Sequence, residues 1–225
     1  MILAFESSSA TASVAVLSNG ELIAERSLHS TRTHSKTLLP MAQALMEECG
    51  FAPNELTALA VNCGPGSFTG VRIGVCIANA MGLALNIPVI SINSLLCLNE
   101  NIAFYPGNVC VMIDARNDSV YTAQYKFGEV VRPPVALTVE QCLKDVPEGT
   151  IFVGDGAIQY EAQIRKSAAN ATIAPAASMF CRAGSLCYIA HRRLQSGEVD
   201  GTQQAEPLYL RVSQAERMWE KRNQE

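Results

Sequence analysis

The chain has 225 residues, 48% of them hydrophobic and 17% charged, and a formal net charge of -4. This is a globular composition, with apolar surface for one large core or for two lobes. The negative charge works against unaided binding to a phosphate backbone, so a stand-alone nucleic-acid binder is disfavoured from the outset.

Residues 1–5 read as a strand, followed by the polar turn Glu6-Ser7-Ser8-Ser9 and a second strand over 11–17. Asn19-Gly20 is a hairpin signal that leads into a third strand at 21–28. A helix is predicted from about residue 35 to 49, with Leu38, Met41, Leu45, Met46 and Cys49 marking its buried face. Gly50 suits the left-handed position past a helix end, and Pro40 must lie near the first turn or kink the helix. A strand at 59–62 runs into the glycine-rich turn of residues 64–70, GPGSFTG. A long helix to about residue 85 and a strand at 89–92 complete the unit. Residues 73–99 carry no charge, but Asn79, Asn86, Pro88, Asn93 and Ser94 interrupt them, and no apolar run is long enough for a bilayer. The stretch is expected to be a buried helix and a buried strand.

The pattern then recurs. A strand over 109–113 ends in Asp114, a polar turn leads to a strand over 119–125, and Gly128-Glu129 opens another at 129–131. Asp114 falls 108 positions after Glu6, and Gly128 falls 108 after Gly20. The second glycine turn, Gly154-Asp155-Gly156, arrives early, so the helix before it must be abbreviated. A helix over about 178–196 closes the second unit, with Gly197 past its end. Any α/β protein has strand-turn-strand units, but the common register favours duplication. Two such units facing each other describe an α/β, actin-like (ASKHA, ribonuclease H-like) duplicated fold with two lobes. The expected divisions are an N-terminal lobe at 1–104, a C-terminal lobe at 105–204 and a tail helix at 205–225 that returns to the N-terminal lobe. In that tail Arg211, Arg217, Lys221 and Arg222 are balanced by Glu206, Glu216, Glu220 and Glu225, a solvated face rather than a basic clamp.

In this fold the first acidic turn binds nucleotide phosphates, which makes Glu6, Ser7 and Ser9 a weak nucleotide-binding candidate. The turn lacks glycine, which hinders close backbone approach to phosphate. The 64–70 turn opens a helix but is neither a Walker A loop nor a nucleophile elbow. Along that helix Gly70, Gly74, Ala78 and Gly82 recur every fourth residue, a smooth stripe that invites close packing. From the pattern alone its partner is either the chain's own sheet or another subunit. The helix is apolar nearly all round, with Arg72 its lone charge, so burial on more than one side is expected. Eight cysteines form no C-x-x-C pair and sit among apolar neighbours, consistent with reduced thiols in a cytosolic protein. The three histidines, His29, His34 and His191, make no ligand set; Cys187 and His191 are four apart but lack a third ligand.

Residues 1–8 (MILAFESS), 32–35 (RTHS), 64–74 (GPGSFTGVRIG), Asp114-Ala115-Arg116 and 207–211 (PLYLR) together resemble the TsaB family. The resemblance spans nearly the whole chain, and the GPGSFTGVRIG block is its most specific part. It implies an actin-like fold and a non-catalytic scaffold role in forming threonylcarbamoyladenosine on tRNA. It also implies dimerisation with the catalytic homologue TsaD, a link to the ATPase TsaE, and tRNA contact only through the complex. ATP or ADP is then expected at the subunit interface, with none held by the chain alone, and the chain in isolation is expected to form a homodimer. The catalytic relative carries a histidine pair for metal; Ser94 and Leu98 stand in its place, so no metal is expected there. The resemblance places the subunit contact on the two helices of the N-terminal lobe, and so assigns Gly70, Val71, Gly74, Val75, Ala78 and Gly82 to the partner interface. On that assignment Gly74→Leu should block partner binding without disturbing the fold. The alternative is an actin-fold enzyme, a small-molecule kinase or a metallopeptidase-like (M22 glycoprotease-like) protein.

Overall fold

In the computed structural model, residues 1–29, 33–144, 146–168, 170–199 and 204–211 are described. Three antiparallel strands open the chain: β1 (Ile2–Glu6), β2 (Thr11–Ser18) and β3 (Glu21–His29). Asn19 and Gly20 both adopt positive φ in the hairpin between β2 and β3, as a two-residue loop requires. The helix α1 (His34–Cys49) ends at Gly50, whose φ of 76° is left-handed. Pro40 lies inside α1. The strand β4 (Ala58–Asn62) adds in parallel to β1, α2 (Phe68–Leu85) returns across the sheet, and β5 (Val89–Ile92) adds in parallel to β4.

A short helix, α3 (Ser94–Glu100), capped by the Asn93 side chain, leads to the second unit. Its strands are β6 (Asn108–Asp114), β7 (Ser119–Lys126) and β8 (Glu129–Thr138). Then come α4 (Val139–Lys144), β9 (Ile151–Val153), α5 (Asp155–Gln159), α6 (Glu161–Ser167), β10 (Thr172–Ile173) and α7 (Ala183–Gln195). The first sheet has the order β3-β2-β1-β4-β5 and the second β8-β7-β6-β9-β10, so the two repeat one topology. That duplicated arrangement is the actin-like fold. The six-residue α4 stands where α1 has sixteen residues, which accounts for the early second glycine turn.

Some elements differ from the sequence expectation. The strand β8 continues to Thr138 through Pro133 and Pro134, because it is the edge of its sheet and its register with β7 shifts between Arg132 and Val135, which leaves both prolines out of the ladder. The last helix begins at Ala183, five residues late; residues Ala176–Ser178 form a separate 3-10 turn. That helix also does not close the second sheet. It lies across β1 and β2 of the first, while α3 packs on β6 and β7 of the second. Small residues decide this: Ala183, Cys187 and Ala190 of α7 meet the alanine-rich inner face formed by Ala4, Ala15, Ala58 and Ala60. One buried cluster therefore runs continuously through both lobes, from Ile2 and Leu17 through Leu95 and Leu186 to Val111 and Tyr125. Separate clusters fill the outer faces under α1 and α2 and under α4 to α6. Glu100 of α3 and Arg192 of α7 join the crossed helices by a two-pronged ion pair at 2.8 and 2.6 Å.

Residues 205–211 are extended rather than helical; residues 212–225, with the rest of the expected tail helix, lie outside the described residues, as does Arg32. The extended segment returns to the first lobe. Asn79 of α2 pairs with both backbone groups of Ala205, at 2.8 and 3.0 Å, and the Leu208 amide donates to the Cys63 carbonyl at 2.7 Å. The Tyr209 ring stacks on Phe68 with centroids 4.6 Å apart. Arg72 lies over the other contact, 3.9 Å from the Phe68 ring, and donates from Nε to the Tyr209 hydroxyl at 2.8 Å. All eight cysteines are free; Cys76 alone among them is exposed.

Candidate functional site: the cleft between the lobes

A cleft of about 820 Å³ opens where the ends of β1 and β6 face each other. Its polar lining includes Ser9, His34, Asp114, Arg116, Asp155 and Arg211. The extended segment crosses its mouth, and Arg211 Nη1 reaches the Ala115 carbonyl of the second lobe at 3.4 Å. On the wall of the second lobe, Asp114 Oδ1 accepts from the Arg116 amide and the Tyr160 hydroxyl, each at 3.0 Å. The Asp114 amide donates to Asp155 Oδ1 at 3.0 Å. Burial holds the Asp155 carboxyl above its usual range, against the pull of its backbone hydrogen bonds.

The wall of the first lobe is built differently from the expectation. Glu6 and Ser7 do not face the cleft. Glu6 is fully buried; its Oε1 accepts from the Ser8 amide at 2.7 Å and the Ser8 hydroxyl at 2.6 Å, and Asn62 Nδ2 donates to Oε2. Burial pushes this carboxyl up to about 7, outweighing the donors from Ser8 and Asn62 that favour the charged form. Asn62 in turn accepts from the Gly64 amide at 2.9 Å and the Ser94 hydroxyl at 2.7 Å. Glu6 is thus the centre of a satisfied buried network joining β1, β4 and α3. The Ser7 hydroxyl donates to the Gly70 carbonyl at 2.9 Å. Of the three expected nucleotide ligands, only Ser9 lines the cleft.

The glycine-rich block explains why. A Cβ at Gly66 would overlap the Ser8 carbonyl, and one at Gly70 the Ser7 carbonyl. These two glycines let the start of α2 press directly onto the first turn. The amides there are spent internally: Ser67 N donates to Ser8 O at 2.7 Å, and Gly70 N to the Ser67 hydroxyl at 3.2 Å. Gly66 and Gly70 thus serve the packing of α2 on the first turn.

The same geometry corrects the interface assignment. Gly70, Val71, Gly74, Val75, Ala78 and Gly82 are all buried, against β1, β4 and β5 of their own chain. Gly74 would meet the Ser7 hydroxyl and Val61, and Gly82 would meet Val89 and Leu59. The stripe met the chain's own sheet, so Gly74→Leu strikes the core rather than a partner. Among the described residues, burial of α2 on more than one side is also not seen. The opposite face of α2 is open, with Cys76, Ala80, Leu83 and Ala84 exposed and Ile73 and Ile77 half-buried between them. By length and composition α2 is apolar enough to cross a membrane, yet it lies on its own sheet.

Ser94 is fully buried and spent on Asn62, and Leu98 offers no donor, so these positions do not fit a metal held as by a histidine pair. Cys187 donates to the Ala15 carbonyl at 3.6 Å, while His191 packs at the β2–β3 hairpin beside Gly20. They form no ligand pair. A different donor set does converge: Glu6, Cys97 and Cys181, with ligand atoms all within 4.8 Å of one another. It is invisible to spacing rules because its members come from three distant segments.

The fold and the cleft can be set beside known proteins. The family model for TsaD, tRNA N6-adenosine threonylcarbamoyltransferase, matches residues 21–219. The Bacillus subtilis tRNA threonylcarbamoyladenosine biosynthesis protein TsaB is 31% identical over 97% of this chain and 97% of its own. The Escherichia coli protein of the same description is 29% identical over 98% of this chain and 97% of its own. A crystal structure from Pseudomonas aeruginosa, described as an uncharacterized protein with similarity to peptidase YeaZ, superposes with a TM-score of 0.80 at 29% identity, covering 93% of this chain and 99% of that one. Near-full-length identity to two TsaB proteins, on a duplicated actin-like fold whose glycine block is built into its packing, leads to one conclusion: the chain belongs to the TsaB family of tRNA threonylcarbamoyladenosine biosynthesis proteins.

Proposed function

We propose that this chain is the non-catalytic scaffold and activating subunit of the assembly that forms threonylcarbamoyladenosine on tRNA, and that it docks onto a TsaD-like catalytic homologue through the outer faces of α1 and α2. The observation that carries the reading is the open face of α2. Ile73, Cys76, Ile77, Ala80 and Leu83 recur at helical spacing, and Leu83 is 77% exposed. α1 packs beside α2 and exposes Leu39 at 46%. An unpaired apolar helix face of this kind is the mark of an interaction surface. Support for the absence of catalysis by this chain comes from its first turn, whose acid is buried, and from Ser94 and Leu98, which offer no metal ligands. In this reading a TsaE-like ATPase joins the assembly, ATP or ADP is held at the junction of subunits, and tRNA is reached only through the complex. The same α2 face pairs two copies when the catalytic partner is absent. The assembly works in the cytoplasm.

The test is transfer of labelled threonine to tRNA, with ATP and bicarbonate, by the other pathway proteins with and without this chain. Label that appears only when the chain is added, and never with the chain alone, is the expected result. Label unaffected by the chain would defeat the scaffold role. The cleft with Asp114 and Asp155 keeps an actin-fold enzyme in view, and ATP hydrolysis or peptide cleavage by the isolated chain would favour that alternative. Leu83→Glu places the docking face: affinity for the TsaD-like partner should fall roughly 10- to 100-fold, with circular dichroism unchanged. Retained affinity would move the interface off α2.

A further inference from the structure

We propose that Glu6, Cys97 and Cys181 form a binding site for a thiophilic divalent cation of the zinc class. The ligand atoms of all three lie within 4.8 Å of one another, and all three residues are buried. Two sulfurs on one tetrahedral zinc, each at about 2.3 Å, sit roughly 3.8 Å apart, so a small side-chain adjustment closes the set around one ion. Two thiolates with one carboxylate favour zinc over magnesium or calcium, which take oxygen ligands. The donor set is distinct from Ser94 and Leu98, which cannot hold a metal.

Charge does not oppose the site. Glu6 is fully buried, and its hydrogen-bond partners, Ser8 and Asn62, are neutral. With both thiols deprotonated, a dication leaves the site at the net charge that the carboxylate alone carries, so binding adds no buried charge. Those same donors fix the orientation of the carboxyl, as outer partners of metal ligands do. Leu95, Leu98 and Met179 share the buried cluster with both cysteines and give the site dry walls. Cys181 also lines the cleft, which provides an entry path and a fourth position for water. Binding displaces two weak contacts, the Cys97 thiol on the Arg182 carbonyl at 3.5 Å and the Cys181 thiol on the Ser94 carbonyl at 3.4 Å. The two thiol protons leave to solvent as the metal binds. The bound ion would tie the end of β1 to α3, which lies on the second sheet, and to the segment leading into α7. It would act as a rivet between the lobes.

Chelator-stripped, phosphine-reduced full-length protein is titrated with Co²⁺. One equivalent should produce a sulfur-to-cobalt charge-transfer band, Zn²⁺ should erase it, and Zn²⁺ should raise the thermal midpoint. Cys97→Ser and Cys181→Ser should each abolish the band, and Cys110→Ser, in a separate buried thiol pair, should leave it intact. Glu6→Gln should weaken Co²⁺ binding by about 10-fold or more. A folded, reduced wild type without the band overturns the proposal. So does a band that survives both serine variants, which would assign it to a surface thiol such as Cys76. Should the variants fail to fold, X-ray absorption on the zinc-loaded wild type decides alone. Two sulfur neighbours support the site, and a shell without sulfur overturns it.

Discussion

Gly70 has no room for even a methyl group, because a Cβ there would overlap the Ser7 carbonyl, a backbone atom that cannot rotate aside. Gly70→Ala should therefore cost about 1–3 kcal/mol of stability, read as a lower urea midpoint with unchanged slope. A neutral result would mean that the first turn yields, and that the glycine block is not a packing device. At this scale the sequence marks which residues are special more readily than it says why. The spacing of Gly70, Gly74, Ala78 and Gly82 correctly announces a smooth helix face, but the face against which it packs is set by β1, β4 and β5. Glu6 stands out as an acid at the end of a strand. Its side chain turns inward because Ser8, Asn62 and Ser94 form a closed set of partners there, and Asn62 and Ser94 lie far along the chain.

The extended segment over residues 204–211 is held as an element by a few specific contacts. Tyr209 stacks on Phe68 and accepts from Arg72, while Leu208 and Ala205 pair with Cys63 and Asn79. Tyr209→Ala should cost about 1 kcal/mol from the lost stacking and should speed proteolytic cleavage within the segment. Unchanged cleavage would show that the backbone pairs alone hold it in place. Most elements are legible from pattern: the hairpin at Asn19-Gly20 and the helix stop at Gly50 follow from local chemistry, and the short α4 from the early second glycine turn of the repeat. The exceptions have tertiary causes. The edge position of β8 and the register shift at Pro133 and Pro134 excuse these residues from ladder bonding, and the open side of α2 departs from its all-round apolar composition because no second layer among the described residues covers it.

For the whole molecule the crossed helices matter most. The inner face of the first sheet is covered by α7, which comes from beyond residue 180. A fragment of residues 1–104 would leave Ala4, Ala15, Ala58 and Ala60 uncovered, and it should remain unfolded by circular dichroism and amide dispersion. The intact chain should unfold in one transition, with calorimetric and van't Hoff enthalpies equal. A stably folded 1–104 fragment would restore the simple division into two independent lobes.

Local pattern was enough to determine the two strand-turn-strand units, their common register and the duplicated fold they imply, because alternation, glycine turns and helix stops act within a few residues of one another. The tertiary structure alone decided that the glycine stripe of α2 faces inward, that α3 and α7 exchange sheets, and that Glu6 is buried beside Cys97 and Cys181. The first two outcomes depend on which distant surfaces bury the most apolar area together, and the third on polar partners that lie far along the chain.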